Sequence, residues 1–159
     1  MFFYKHYAKA SAAFIKAGEN QDAAICDAYL LREKALSIPA ATSTARIQAF
    51  ITAANAFIVC ARDTPYEEAD ERLSYHEAAG ECYLEARDLK NAGDSYLMAN
   101  QYAIAAHAYR KGGYFNELVD MIARHRNDLD SGLLERLTKV VQLHRYEVHF
   151  SECLASEYL

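Results

Sequence analysis

Three tyrosines, Tyr83, Tyr96 and Tyr109, recur at intervals of 13 residues, each inside a near-copy of one short phrase. From Ala79 it reads A-G-E-C-Y-L-E-A, from Ala92 A-G-D-S-Y-L-M-A and from Ala105 A-A-H-A-Y-R-K-G. The small pair, the aromatic and the small residue three places beyond it fall on one face of a helix. An interval of that length holds one short helix and a tight turn, so the segment spells helix, turn, helix, turn in a fixed rhythm. Such units cannot bury their apolar faces alone and must stack on their neighbours. Two more copies surround Phe14 (A-S-A-A-F-I-K-A) and Phe57 (A-A-N-A-F-I-V-C), and Phe57 precedes Tyr83 by 26 residues, twice the interval.

The rest of the chain agrees with a helical array. Its 159 residues are 52% hydrophobic, well above the disordered range and enough for one domain with a core. Alanine is abundant and proline occurs only at Pro39 and Pro65, a composition that favours helices. The expected fold is all-α, a right-handed α-solenoid of about seven or eight antiparallel helices. It forms a single helical-repeat domain over 1–159, with its clearest repeats over 73–125 and a divergent last helix over 130–158.

Local signals place the elements. Gly18 ends a first helix beginning near Phe3, and Asn20 or Gln21 leads into a second that reaches about Leu36 before Pro39. Ser43 or Thr44 opens a third through about Arg62. Thr64 reads as the cap of a fourth helix, with Pro65 in its first position and Glu67 and Glu68 in its first turn. Helices follow over about Leu89–Ala99, Tyr102–Lys111 and Phe115–Arg126, and Asp130 or Ser131 opens the last.

Over 73–106 the phrase takes a recognisable form. Gly80, Tyr83, Ala92, Tyr96 and Ala99 fall at the small and aromatic positions of the tetratricopeptide repeat (TPR), which the segment resembles. It departs from the pattern at His76, where the family usually has Trp, and at Ile104, which replaces a closing Pro. A narrower resemblance rests on A-A-F-I-K-A-G from Ala12, A-A-I-C-D-A-Y-L-L-R-E-K-A from Ala23, and Y-H-E-A-A-G-E-C-Y-L-E-A-R-D-L-K-N-A-G from Tyr75. These look like the helical-repeat region of large fungal proteins that join TPR and ankyrin-type repeats to a UvrD-like helicase module. That resemblance implies a fragment or stand-alone relic of such a protein, whose nucleotide-binding part lies outside this chain.

Net charge is −5, so the total carries no nucleic-acid footprint. Residues 63–95 hold ten acids against three bases, and such a face attracts a basic partner or simply keeps the protein dissolved. Cys26, Cys60 and Cys82 lie among apolar helix positions and read as buried free thiols, which fits a reducing, intracellular setting, cytoplasmic or nuclear. The opening residues lack a signal-peptide core. No stretch approaches 18 uncharged apolar residues, so no membrane span is expected.

Motifs for chemistry are missing. The chain has no G-x-x-x-x-G-K-[ST] loop, no G-x-G-x-x-G and no H-E-x-x-H. Lys111-Gly112-Gly113 reads as a helix stop. His144 and His149 are off one helical face, and His125 with Arg124 and Arg126 suits a helix C-terminus. No catalysis, cofactor or metal is expected.

The sharper candidate is a surface. In the repeat register, Ser74, Glu77, Glu81, Leu84 and Glu85 face the groove, and Glu77, Glu81 and Glu85 form one carboxylate stripe at i, i+4, i+8. The same register puts Asn100, Ala103, His107, Arg110 and Lys111 on the neighbouring helix. Two readings compete: the stripe receives a basic peptide, or Glu81 and Glu85 simply face Arg110 and Lys111 as a solvated ion-pair row. Tyr102 and Tyr114 occupy turn-side positions and are freer to bind. Met1-Phe2-Phe3-Tyr4, Tyr7, Phe14, Leu154 and Tyr158 need covering, by docking on another domain or by dimerisation. The function this supports is a non-catalytic protein-interaction scaffold holding a peptide or helix; the alternative is an accessory region of a UvrD-like helicase whose motor lies elsewhere.

Overall fold

The computed structural model describes the backbone of residues 2–40 and 43–157 and the side chains of 6–40 and 43–149. The N-terminal aromatics up to Tyr4 and the side chains of Cys153, Leu154 and Tyr158 lie outside the described set. Within it the chain is all-helical. The elements are α1 (Phe2–Ala17), α2 (Asn20–Ser37), α3 (Ser43–Asp63), α4 (Ala69–Glu85), α5 (Leu89–Met98), α6 (Tyr102–Gly112), α7 (Phe115–Arg124) and α8 (Ser131–Glu157), with no strand among the described residues. Each helix packs chiefly on the one before it and the one after it in sequence.

The 13-residue interval has a backbone cause. Four residues after the aromatic the chain turns left-handed, at Gly18 (φ +81°), Arg87 (+61°), Asn100 (+59°) and Gly113 (+77°). The next N–H then bonds the aromatic's own carbonyl: Glu19 to Phe14, Asp88 to Tyr83, Gln101 to Tyr96 and Tyr114 to Tyr109, all at 2.8–2.9 Å. The left-handed residue's N–H donates three residues back, to Ile15, Leu84, Leu97 and Arg110 respectively. This two-bond pattern is the Schellman stop, which satisfies helix-end carbonyls and reverses the chain. The copy around Phe57 lacks the turn: Ala61 stays helical and buried, and α3 runs on to Asp63. That missing turn is why one interval is doubled.

Side chains repeat as well. The ring of Tyr96 lies over Gly80, where a Cβ would sit 2.9 Å from the ring's Cδ2 and Cε2. The ring of Tyr109 lies over Gly93 in the same way, with its Cδ1 2.6 Å from the Cβ position. Each aromatic thus fills the hole left by the second residue of the preceding phrase. Two tyrosine hydroxyls go on to the third: Tyr83 donates to Asn55 Oδ1 at 2.6 Å and Tyr109 to Asp94 Oδ1 at 2.7 Å. Phe57 continues the aromatic line edge-on to Tyr29, which stacks on Tyr7.

Two expectations need correction. Thr64 does not cap α4. Its hydroxyl and its N–H both donate to the Cys60 carbonyl, at 2.7 and 3.0 Å, so it closes α3. Pro65 opens a turn instead, and α4 starts at Ala69. Helix α7 stops at Arg124, two residues early, because His125 turns out and its Nδ1 meets Asp128 Oδ2 at 3.1 Å. The cap read at Asp130 is formed, its carboxylate accepting the Leu133 N–H, and Asp88, not singled out in the sequence, caps α5 in the same way through the Asn91 N–H.

Arg87 holds its left-handed backbone without glycine, a conformation that costs an L-residue about 1 kcal/mol. Arg87→Gly is therefore expected to raise stability by about that amount in a urea titration. A lower midpoint would mean that the Arg87 side chain supports the turn by another route.

Candidate functional site

An open groove of about 300 Å³ runs beside α4, lined by Arg32 and Leu36 of α2, Phe50 of α3, Glu81, Cys82, Leu84 and Glu85 of α4, and Tyr96 of α5. Three of the sequence-derived groove residues, Glu81, Leu84 and Glu85, are in its wall. The carboxylates are not free. Arg32 Nη2 meets Glu81 Oε2 at 2.8 Å, and Arg46 Nη2 meets Glu85 Oε2 at 3.4 Å. Arg46 also donates to the Ile38 carbonyl at 2.8 Å and lies over the Phe50 ring, 5.0 Å from its centroid. It therefore ties the end of α2 to α3 and α4 together.

The ion-pair row expected between Glu81, Glu85 and Arg110, Lys111 is absent; the partners come from α2 and α3 instead. Arg110, Lys111 and His107 are exposed, and none makes an ion pair among the described residues. Glu77 is half-buried. The exposed Ser74 hydroxyl donates to the Glu71 carbonyl, and Asn100 is the left-handed residue after α5, with its Oδ1 3.3 Å from the Tyr102 hydroxyl. Tyr102 and Tyr114 are less available than their turn positions imply. Tyr102 is half-buried against His125, ring centroids 5.0 Å apart, and Tyr114 covers Gly112. Sequence reasoning missed Arg32, Leu36, Arg46 and Phe50. No repeat signal marked Arg32, because Tyr29 stands 15 residues after Phe14 and 28 before Phe57, off the 13-residue interval.

Two titrating groups of the groove wall, Cys82 and Tyr96, are held in their neutral forms. Burial pushes the Cys82 thiol up to about 11 and the Tyr96 hydroxyl up to about 12, with Glu81 and Glu77 adding to the latter. Cys60 is buried and raised likewise; Cys26 is only half-buried, a departure from the reading of three buried thiols. A thiolate nucleophile is disfavoured at all three.

On the other side of α4, His76 lines a second hollow with Ile58, Tyr83, Asp94, Ser95 and Met98. Its Nδ1 is buried with no hydrogen-bond partner among the described residues. Burial lowers its pKa, and the Arg72 guanidinium lowers it further. Since the folded state resists protonation, stability is fully present above about pH 6.5 and falls as pH drops from there through the lower folded-state value. His76→Phe should flatten that part of the stability–pH curve relative to the parent; an unchanged slope would place the acid sensitivity at another histidine.

Helix α3 is long and apolar enough to cross a membrane by length and composition alone, although Arg46 and Arg62 interrupt its apolar run. Phe50, Ala53, Ala54, Phe57, Cys60 and Ala61 are all buried in the core beside α2 and α4, which accounts for its apolar character. Among the described residues no group of three or more His, Cys, Asp or Glu is placed to hold a metal ion.

The chain matches no protein-family model, no curated protein and no solved structure.

Proposed function

We propose that this chain is a non-catalytic protein-interaction scaffold, a TPR-like right-handed α-solenoid that holds a peptide or helix in the groove beside α4. The observation that carries the reading is the groove itself: an apolar floor of Leu36, Phe50, Leu84 and Tyr96, rimmed by two arginine–glutamate pairs. Apolar concavities with a few fixed polar groups are where partners anchor. Ion pairs that skip one helix support a two-layered stack: Arg32–Glu81 joins α2 to α4, and Lys90–Glu117, at 3.9 Å, joins α5 to α7.

The test is selection of a displayed random-peptide library on the intact chain, followed by binding measurements on the enriched peptides. Related peptides should emerge, and Leu36→Arg should weaken them at least about tenfold. Leu36 is 45% exposed, so this change spares the core. Enriched peptides that ignore Leu36→Arg, or none at all, would overturn the assignment. Salt-sensitive binding of a single-stranded oligonucleotide would instead favour an accessory arm of a UvrD-like motor protein.

A further inference from the structure

The charges left over around the groove define the partner more narrowly. Glu81 and Glu85, the acids that a basic peptide would need, already hold Arg32 and Arg46. Replacing those arginines with a ligand's lysine would break one pair to make another, with little net gain. The cations of α6 have no such partner among the described residues. Arg110 and Lys111 project into solvent one helical turn beyond His107, on the same exposed strip as Ala103 and Ile104.

Tyr96 connects this strip to the groove. Its ring covers Gly80 of α4, it lines the groove, and it shares one buried cluster with Ala105 and Ala106 of α6. In the repeat, His107, Arg110 and Lys111 take the places in their phrase that Glu81, Leu84 and Glu85 take in theirs. The α6 strip therefore continues the α4 face, with its sign reversed.

We infer that the groove takes an acidic amphipathic helix. Its apolar stripe rests on Leu36, Phe50, Leu84 and Tyr96, and its carboxylates reach Arg110 and Lys111. Apolar burial supplies the anchoring, and the two exposed cations set polarity and speed of encounter. This inference rests on the scaffold reading above and specifies its ligand.

Two fluorescein-labelled helical peptides test it on the full chain by anisotropy. They share one leucine stripe and carry glutamate or lysine at every other charged position. At low salt the glutamate peptide should bind about tenfold tighter, the effect of two exposed charge contacts. The gap should close at high salt and vanish in Arg110→Glu/Lys111→Glu, whose helical circular dichroism should match the parent because both residues are exposed. Equal or tighter binding of the lysine peptide would overturn the inference, as would a gap that survives the double substitution. If neither peptide binds while library selection still yields Leu36-dependent binders, the acidic helix is wrong and the scaffold stands. If selection also yields none, both fall.

Discussion

Replacing Tyr96 with alanine should lower unfolding stability by about 3–5 kcal/mol, the range for deleting a packed aromatic. The ring is 4% exposed and sits on Gly80, so its loss leaves a hole that the glycine cannot fill. Neighbouring helices close such holes poorly because each is held at its end by two backbone bonds. Tyr96→Phe should be nearly neutral by comparison, since the Tyr96 hydroxyl has no hydrogen-bond partner among the described residues. Tyr109→Phe should cost more, roughly 1 kcal/mol, through loss of the 2.7 Å bond to Asp94. Urea titrations of the three variants give the ordering directly. A loss below about 1 kcal/mol for Tyr96→Ala would mean that the ring is not a packing element of the stack.

How much of this was legible in the sequence depends on the distance over which each feature is determined. Helix order and the aromatic positions were readable because the phrase is local: a small pair and a ring on one face, closed by a turn. The turn itself was only half visible. Gly18 and Gly113 announce a left-handed stop, but Arg87 and Asn100 adopt the same backbone under the pull of the two Schellman bonds. Thr64 misled because a hydroxyl before Pro reads as a helix start, whereas here it bonds backward to Cys60. The groove was legible on the α4 side alone. Which cations meet Glu81 and Glu85 is decided by how α2 and α3 lie against α4, and a stripe of acids spaced along one helix carries no information about that. The acidic excess over 63–95 therefore left both readings open, a basic ligand or a solvated face, although Asp63, Glu81, Glu85 and Asp94 each already hold a cation.

The repeat makes a further claim that only a pair of substitutions can isolate. Glycine inside a helix is unfavourable by about 1 kcal/mol relative to alanine, so an unconstrained Gly93→Ala would stabilise α5. Here the new methyl would strike the Tyr109 ring, whose Cδ1 lies 2.6 Å from the Cβ position. That ring cannot easily retreat: Tyr109 is 1% exposed and its hydroxyl is bonded to Asp94. Overpacking of this kind typically costs about 1–3 kcal/mol, enough to reverse the sign. In a Tyr109→Ala background the clash disappears, and Gly93→Ala should turn stabilising. The coupling between the two sites should then equal the clash, about 1–3 kcal/mol, beyond the few tenths expected of independent positions. Additive effects would show that glycine is kept at 93 for a reason other than the ring above it, and the fit of ring to glycine would no longer explain why the phrase recurs.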